Sequence, residues 1–337
     1  MNAELAMNSI LLEDGSKIEY NLDVFPNKDI ISVQVHGGKM HADDIFAVAI
    51  TKICLEGKKQ VVRVPSTDPS WDLRLDCGGE ISFTDDKIVL DHHQRTKYAV
   101  DSNGVKMAAC NLAWNVFKFK YFTHEWSDLE ITSVMAKMDL FFKEIAAVDN
   151  GDEEAAKTAT ETSMNTVMGY FNVDPVAPAE IREQSFDNAV MVAELLLKQM
   201  ITYTRRTARM LDRAMDEIEE AADDGTHVIR MSTVLPWLQV MKMHPELFVD
   251  KFLVTYPSIR DEQLQYYIQA IPIDVSNPFS QRVSAPEAWH GLRDKELQDI
   301  TGVKEALFCH ASGFLTTAST QAGADALINR ILQNAGS

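Results

Sequence analysis

The chain has 337 residues, of which 46% are hydrophobic and 24% are charged. This length allows one large or two medium hydrophobic cores, and no apolar run approaches the roughly 20 residues of a membrane-spanning helix. The formal net charge of −18 argues against binding long nucleic acid over the whole surface, so an anionic substrate would have to be held locally.

The N-terminal segment and the cysteines favour a soluble cytoplasmic protein without membrane association. Glu4, Glu13 and Asp14 do not fit the basic-then-apolar order of a signal peptide. The four cysteines are far apart and form no C-x-x-C pair, which predicts reduced, mostly buried thiols. They are Cys54, Cys77, Cys110 and Cys309.

Residues 1–29 are predicted to form an N-terminal extension that contains a short hairpin. Its two strands, Ile10–Leu12 and Ile18–Tyr20, flank a turn at Asp14-Gly15.

Residues 30–150 are predicted to form an α/β domain with a doubly wound, mostly parallel sheet, because short apolar strands alternate with amphipathic helices. Ser127 and Glu130 form a capping-box pattern before the last helix. The predicted strands are Ile30–Val35, Gln60–Val64, Trp71–Cys77 and Lys87–Leu90, and the predicted helices are Asp43–Glu56, Val105–Phe119 and residues 127–148.

Residues 151–225 are predicted to be a linker followed by a long helical connector. Gly151–Ala177 is polar and has no steady period, whereas Ala179–Asp224 has a helical pattern throughout, as one helix or two. Residues 226–333 are predicted to form a second, α+β domain. Its predicted strands are Val228–Met231, Phe252–Tyr256, Tyr266–Ala270 and Ala306–His310, before a closing helix at Thr320–Leu332.

Histidine and aspartate residues follow three of the predicted strands and end one of the helices. Because ligands of an open parallel sheet bind beyond the carboxyl ends of its strands, we expect these side chains to meet there. In chain order they are His36, His41, Asp43 and Asp44, then Asp76, then Asp91-His92-His93, then Asp149.

This set of side chains indicates a pair of divalent metal ions. Imidazole with carboxylate suits Mn²⁺, Fe²⁺, Zn²⁺ or Co²⁺, and two neighbouring cations need several carboxylates because they repel each other. Such a pair polarises a phosphorus–oxygen bond and lowers the pKa of a water molecule. Taken alone, Asp76-Cys77-Gly78-Gly79 also fits a tight turn, and Asp149-Asn150-Gly151 also fits a helix C-cap.

The motifs resemble those of the DHH phosphoesterases and, more closely, those of the melanocyte-proliferating-gene family of metal-dependent 3′–5′ exonucleases. The resemblance spans residues 30–333 and keeps the order of the family motifs. These are H-x4-H-x-D-D (His36 to Asp44), D-x-G-G (Asp76 to Gly79), D-H-H-Q-R (Asp91 to Arg95) and D-N-G (Asp149 to Gly151), followed by "APEAWHGLRDKEL" (Ala285–Leu297) and "FCHASGF" (Phe308–Phe314).

The resemblance implies two metal-binding sets that share one bridging carboxylate. His36, His41 and Asp76 would hold one ion, and Asp43, Asp76, His92 and Asp149 would hold the other. Mn²⁺ is the first candidate, with Mg²⁺, Co²⁺ and Zn²⁺ as alternatives.

The resemblance also implies catalytic and substrate-binding roles. Asp91 would orient an imidazole, His93 would act as an acid or as a hydrogen-bond donor to the scissile phosphate, and Arg95 would clamp a phosphate. Arg282, His310 and Gly313 match the substrate-side motifs. A surface salt bridge for Arg95 and domain packing for the other three remain alternatives.

The implied activity is 3′–5′ trimming of RNA or short oligonucleotides, with the second domain binding the substrate end. The substrate side departs from the family pattern, since His290 replaces a usual arginine and "GFLTTAST" replaces a usual G-F-I-G-G. Two alternatives therefore stay open. One is hydrolysis of a small phosphoanhydride or a cyclic dinucleotide, and the other is a nucleotide-binding module without catalytic activity.

Overall fold

The computed structural model describes residues 8–22, 29–63, 71–94, 96–158, 161–222 and 224–335. The chain divides into two compact units, which we call the N-terminal unit (Met1–Arg205) and the C-terminal unit (Arg206–Ser337). No helix in these described ranges is long and apolar enough to cross a membrane.

The N-terminal unit begins with the predicted hairpin. Strands β1 (Asn8–Leu11) and β2 (Lys17–Tyr20) are antiparallel, with Ile10 opposite Ile18. The hairpin packs on the rest of this unit, since Ile10 and Tyr20 are buried in its core and the Tyr20 ring stacks on Phe83 at 4.5 Å.

A five-stranded sheet forms the centre of the N-terminal unit. The strands are β3 (Ile30–Val35), β4 (Lys58–Arg63), β5 (Leu73–Leu75), β6 (Ile81–Phe83) and β7 (Ile88–Leu90). They lie in the order β4-β3-β5-β7-β6, in which every pair is parallel except β6 with β7. The mixed α/β class with a mostly parallel sheet is therefore confirmed, with one antiparallel edge strand that the sequence did not predict.

Helices pack with this sheet in one continuous hydrophobic core. They are α1 (Ala42–Cys54), α2 (Ala109–Tyr121), α3 (Asp128–Asp149), α5 (Met164–Gly169) and the long α6 (Ala179–Ala222), which continues into the C-terminal unit. The short α4 (Glu153–Thr158) contacts α3. The capping box of α3 is confirmed, because the Glu130 N–H donates to Ser127 Oγ and the Ser127 N–H donates to the Glu130 carboxylate.

Two expectations for these helices were wrong. The α2 helix begins four residues later than predicted because residues 105–107 are held in a turn, in which the Asp101 N–H donates to Val105 and the Met107 N–H donates to Ala99. Helices α4 and α5 lie in the segment where no regular structure was expected.

The sequence left open whether the connector is one helix or two, and the structure has a single helix, α6.

The C-terminal unit is α+β, as predicted. Its sheet has the order β13-β14-β10-β9-β8 and is antiparallel apart from β8 with β9. Its elements are β8 (Val228–Arg230), α7 (Trp237–Met243), β9 (Leu253–Arg260), β10 (Gln263–Ala270), β11 (Pro272–Asp274), β12 (Asn277–Gln281), α8 (Asp294–Thr301), β13 (Ala306–Cys309), β14 (Leu315–Ala318) and α9 (Gln321–Ala335). The sequence did not predict α7, α8, β11, β12 or β14.

Candidate metal centre

Three neighbouring parallel strands carry ligand-type side chains at their carboxyl ends. His36 directly follows β3, Asp76 follows β5, and Asp91-His92 follows β7. Strand β3 lies between β4 and β5, so the strand order changes direction at β3: β4 lies on one side of it, and β5 and the later strands lie on the other. Ligands of open parallel sheets bind at such a switch point, and the topology therefore brings these residues together.

Asp76 lies at the centre of the cluster and is 2% exposed. Its Oδ2 lies 3.1 Å from His36 Nε2, and its Oδ1 lies 3.1 Å from His92 Nε2. Each oxygen of one carboxylate thus faces a different imidazole. The Asp76 N–H donates to the carbonyl oxygen of Leu90 at 3.0 Å, which ties this residue to the end of β7.

The His36 ring is held between its own loop and a fully buried carboxylate. Its Nδ1 lies 2.8 Å from the carbonyl oxygen of Gly37, so an N–H there donates and Nε2 faces the cluster. Asp44 Oδ2 is 2.9 Å from that Nε2. The sequence placed Asp44 in the predicted cluster, but neither of the two metal-binding sets that the resemblance implies includes it.

The His92 ring faces two further carboxylates. Its Nε2 lies 3.2 Å from Asp149 Oδ2 and 3.5 Å from Asp43 Oδ2. Its Nδ1 is 3.2 Å from Asn150 Oδ1, and the Asn150 amide donates to the carbonyl oxygen of Lys106. Asn150 therefore orients the ring so that Nε2 points at the carboxylates. Sequence reasoning noted Asn150 in the D-N-G motif but assigned it no role.

His41 lies at the edge of the cluster, where α1 begins. Its Nδ1 is 3.7 Å from Asp149 Oδ1, and its ring centroid is 5.6 Å from that of His36. The Asn172 side chain holds the loop before His41 through two hydrogen bonds to Met40. It accepts from the Met40 N–H at 2.7 Å and donates to the Met40 carbonyl oxygen at 2.9 Å. No spacing in the sequence pointed to Asn172.

Asp91 and His93 form a pair beside the cluster. Asp91 is 2% exposed and accepts from the Gly79 N–H, the His93 N–H and His93 Nδ1, the last at 2.8 Å. The His93 side chain is 60% exposed, and its Nε2 is directed away from Asp91 because Nδ1 faces that carboxylate. Arg95 lies outside the described residues.

Burial and close charges shift the pKa values of the cluster. Hydrogen bonds to Asp44 and Asp76 raise the pKa of His36 to about 11. Burial disfavours the charged His92 ring, but Asp149 and Asp76 outweigh burial and raise the pKa of His92 to about 10. Burial, with Asp76 and Asp149 nearby, raises the pKa of Asp43 well above its usual value. A cluster with this many carboxylates thus requires positive charge.

The donor atoms fit divalent cations. Among the described residues, seven buried atoms of this cluster make no well-aligned hydrogen bond, and a buried polar atom left in this state costs about 1–3 kcal/mol. They are His36 Nε2, His92 Nε2, Asp44 Oδ2 and both carboxylate oxygens of Asp43 and of Asp76. Three groups have ligand atoms within 4.8 Å of one another: His36 with His41 and Asp76, Asp76 with His92 and His93, and His41 with Asp43 and Asp149.

The cysteines take no part as thiolates. All four are buried and free, as predicted. Burial raises the pKa of the Cys110 thiol well above its usual value, and the nearby carboxylates of Asp43 and Asp149 raise it further. The donor set is therefore imidazole and carboxylate, which suits Mn²⁺, Fe²⁺, Zn²⁺ or Co²⁺.

The predicted substrate-side residues have internal partners in the C-terminal unit. Arg282 Nη1 donates to the backbone carbonyl oxygens of Phe248, Val249 and Lys251, which supports a packing contribution. His310 Nδ1 accepts from the Ser312 N–H at 3.1 Å, so the proton of a neutral ring lies on Nε2.

Gly313 has a positive φ of 70°, and a Cβ there would collide with the side chains of His290 and Ser284. Glycine is therefore required at this position for both backbone and steric reasons. The substrate roles of Arg282, His310 and Gly313 stay predictions.

Comparison with known proteins identifies the family. The model of the MYG1 exonuclease family, described as an uncharacterised protein family (UPF0160), matches residues 32–332. The chain belongs to this family. Family membership confirms the resemblance to the melanocyte-proliferating-gene family that the motifs indicated.

Relatives within the MYG1 family align over most of their length. The MYG1 exonuclease of Mus musculus is 26% identical over 315 residues, which cover 87% of this chain and 82% of the relative. The MYG1 exonuclease of Homo sapiens is 24% identical with 87% and 83% covered. The MYG1 protein of Dictyostelium discoideum is 23% identical with 87% and 94% covered.

A solved structure of an uncharacterized protein from Helicobacter pylori G27 aligns over 90% of this chain and 99% of its own. Its TM-score is 0.26 and its identity is 10%, so the alignment carries no argument about fold or function.

Proposed function

We propose that this protein is a metal-dependent phosphodiesterase of the DHH type that removes nucleotides from the 3′ end of RNA or short oligonucleotides with two divalent cations, Mn²⁺ first among them. Relatives in the family are named exonucleases. The observation that carries the proposal is the position of the Asp76 carboxylate. One of its oxygens lies 3.1 Å from His36 Nε2, and the other lies 3.1 Å from His92 Nε2. A carboxylate placed in this way supports a bridging role, in which Asp76 would share its two oxygens between two ions.

Divalent cations bound among these residues would supply Lewis acidity towards the phosphate and lower the pKa of the attacking water. The chain's own part is to hold the ligands rigidly. The Gly37 carbonyl oxygen holds His36 and Asn150 holds His92, each through Nδ1, so that both Nε2 atoms are directed at the carboxylates.

His93 is the residue best placed to act on the substrate. The hydrogen bond to Asp91 raises its pKa, and the exposed Nε2 can then donate a proton or a hydrogen bond to the phosphate or to the leaving oxygen. By the same proposal, residues 30–150 hold the metal ions and residues 226–333 bind the substrate end. The net charge of −18 favours a short, locally held substrate.

A substrate panel tests this proposal. RNA and DNA oligonucleotides labelled at the 5′ end, pyrophosphate and a cyclic dinucleotide are incubated in parallel with Mn²⁺ and with a chelator. We expect a ladder of shortened 5′-labelled RNA that the chelator abolishes and added Mn²⁺ restores. Exclusive turnover of pyrophosphate or of the cyclic dinucleotide would assign the small-substrate alternative, and nucleotide binding without turnover of any substrate would reject the enzyme.

A further inference from the structure

The outward face of α6 carries an uncharged stripe. The helix packs one side into the core of the N-terminal unit through Phe186, Ala189, Ala193, Leu197 and Ile201. On the opposite side a solvated helix normally carries charged residues. Here nine exposed positions at helical spacing are all neutral: Ile181, Gln184, Asn188, Met191, Val192, Leu195, Gln199, Thr202 and Tyr203.

Large apolar side chains of the stripe are exposed to solvent. Met191 is 60% exposed, Leu195 is 61% exposed, Ile181 is 52% exposed and Tyr203 is 64% exposed. A helix rises about 1.5 Å per residue, so the stripe extends about 33 Å from Ile181 to Tyr203. Met191, Val192 and Leu195 are adjacent on this face, and a group of exposed apolar side chains of this kind marks an interaction site.

Most of the large apolar residues of the stripe meet one another when two copies are paired antiparallel. If two copies of α6 are laid antiparallel about a two-fold axis near residue 192, Ile181 of one copy faces Tyr203 of the other. Met191 then faces Val192, and Asn188 faces Leu195. In a two-fold interface each of these pairs occurs twice.

The charges beside the stripe agree with the same register. Asp187 and Lys198 lie on the same flank, because they differ by eleven residues, or about three helical turns. In the antiparallel pair, Asp187 of one copy meets Lys198 of the other, and the contact is repeated on the other side of the axis. A parallel pair would place Asp187 beside Asp187 and Lys198 beside Lys198.

We propose that this surface, the α6 stripe, binds the α6 stripe of a second copy of the chain in an antiparallel homodimer centred near residue 192. The crossing of the two helices would resemble that of an antiparallel bundle, at about 20°. A single helix pair lies at the low end of the size range of stable interfaces, so the dimer forms at micromolar concentration.

Sedimentation velocity on the full chain over a micromolar concentration series gives the first readout. The wild-type chain shifts from monomer to dimer, and Leu195→Glu stays monomeric. A wild-type chain that remains monomeric over the whole series overturns the proposal, as does a dimer that Leu195→Glu leaves intact.

A charge-reversal pair tests the register. Asp187→Lys and Lys198→Asp each place like charges opposite each other twice, and each weakens its own homodimer by about tenfold. Mixing the two variants restores both opposite-charge contacts, so native mass spectrometry should detect the heterodimer in preference to either homodimer. Recovery in the mixture also shows that both variants are folded.

Glu183→Lys is the matched control, since Glu183 is exposed on the same helix about 140° round from the centre of the stripe. It should dimerise like the wild type. Failure of the mixed variants to associate more tightly than each variant alone overturns the antiparallel register.

Discussion

Replacing Asp76 with asparagine should lower turnover about 10³-fold while leaving the fold intact. The side chain keeps its shape and one oxygen, but the negative charge between His36 and His92 disappears. At 3.1 Å, a unit charge pair interacts by about 5 kcal/mol at an effective dielectric constant near 20. If about 4 kcal/mol of this stabilisation is lost in the transition state, the rate falls about 10³-fold, because each 1.36 kcal/mol corresponds to a factor of ten.

The measurement is kcat on 5′-labelled RNA at saturating Mn²⁺, with a thermal melt of each variant by circular dichroism. Asp85→Asn is the matched control, because it makes the same chemical change at an exposed residue between β6 and β7. If Asp76→Asn keeps a kcat close to that of the control and an unchanged melting temperature, Asp76 does not bridge two ions. The hypothesis that the cluster binds two metal ions would then fail as well.

Three other substitutions have expected outcomes. Asn150→Ala removes the hydrogen bond that orients His92 and should weaken Mn²⁺ binding about 10–100-fold by calorimetry, with an unchanged affinity arguing against this role. Gly313→Ala should lower the stability of the C-terminal unit by at least about 1–2 kcal/mol in urea unfolding, because its φ is 70°, and no loss would contradict the steric argument. The hydrogen bond from Lys251 lowers the pKa of Asp224 to about 2, below the value of about 3.9 in the unfolded chain. The ionised Asp224 therefore stabilises the folded chain fully above about pH 3.9, and this stabilisation is lost as the pH falls through about 2. Asp224→Asn should therefore destabilise the chain in urea at pH 7 but not below pH 2, and an equal loss at both pH values would show that the charge is not responsible.

Strands β3, β5 and β7 were predictable because each is a short, mostly buried run with polar residues directly after it. The missed elements lack that signal. Strand β6 has only three residues, all of intermediate burial, and pairs on one side alone. Helices α4 and α5 have six residues each, which is too short for a hydrophobic period to show. Their positions depend on tertiary contacts, such as the burial of Met168 in the main core.

The candidate site was predictable to the extent that strand ends meet at one edge of a sheet. His36, Asp76 and His92 follow adjacent strands, so the topology alone places them together. The pairing of Asn150 with His92 was not predictable, because it depends on how the end of α3 meets β7. Arg282 illustrates a second limit, since a guanidinium that donates to backbone carbonyl oxygens has the same sequence signature as one that binds a phosphate.

The backbone at Asp76 ties the fold to the chemistry. Its φ of 54° is left-handed, which costs about 1–2 kcal/mol for most residues and less for aspartate and asparagine. The strained turn continues to Gly78, where a Cβ would approach Val89 Cγ1 to 2.8 Å. The chain thus holds a buried carboxylate in a sparsely populated conformation so that both its oxygens face imidazoles. Because asparagine tolerates the same conformation, Asp76→Asn changes the charge alone, whereas Asp76→Ala would add backbone strain and confuse a loss of ligand with a loss of fold.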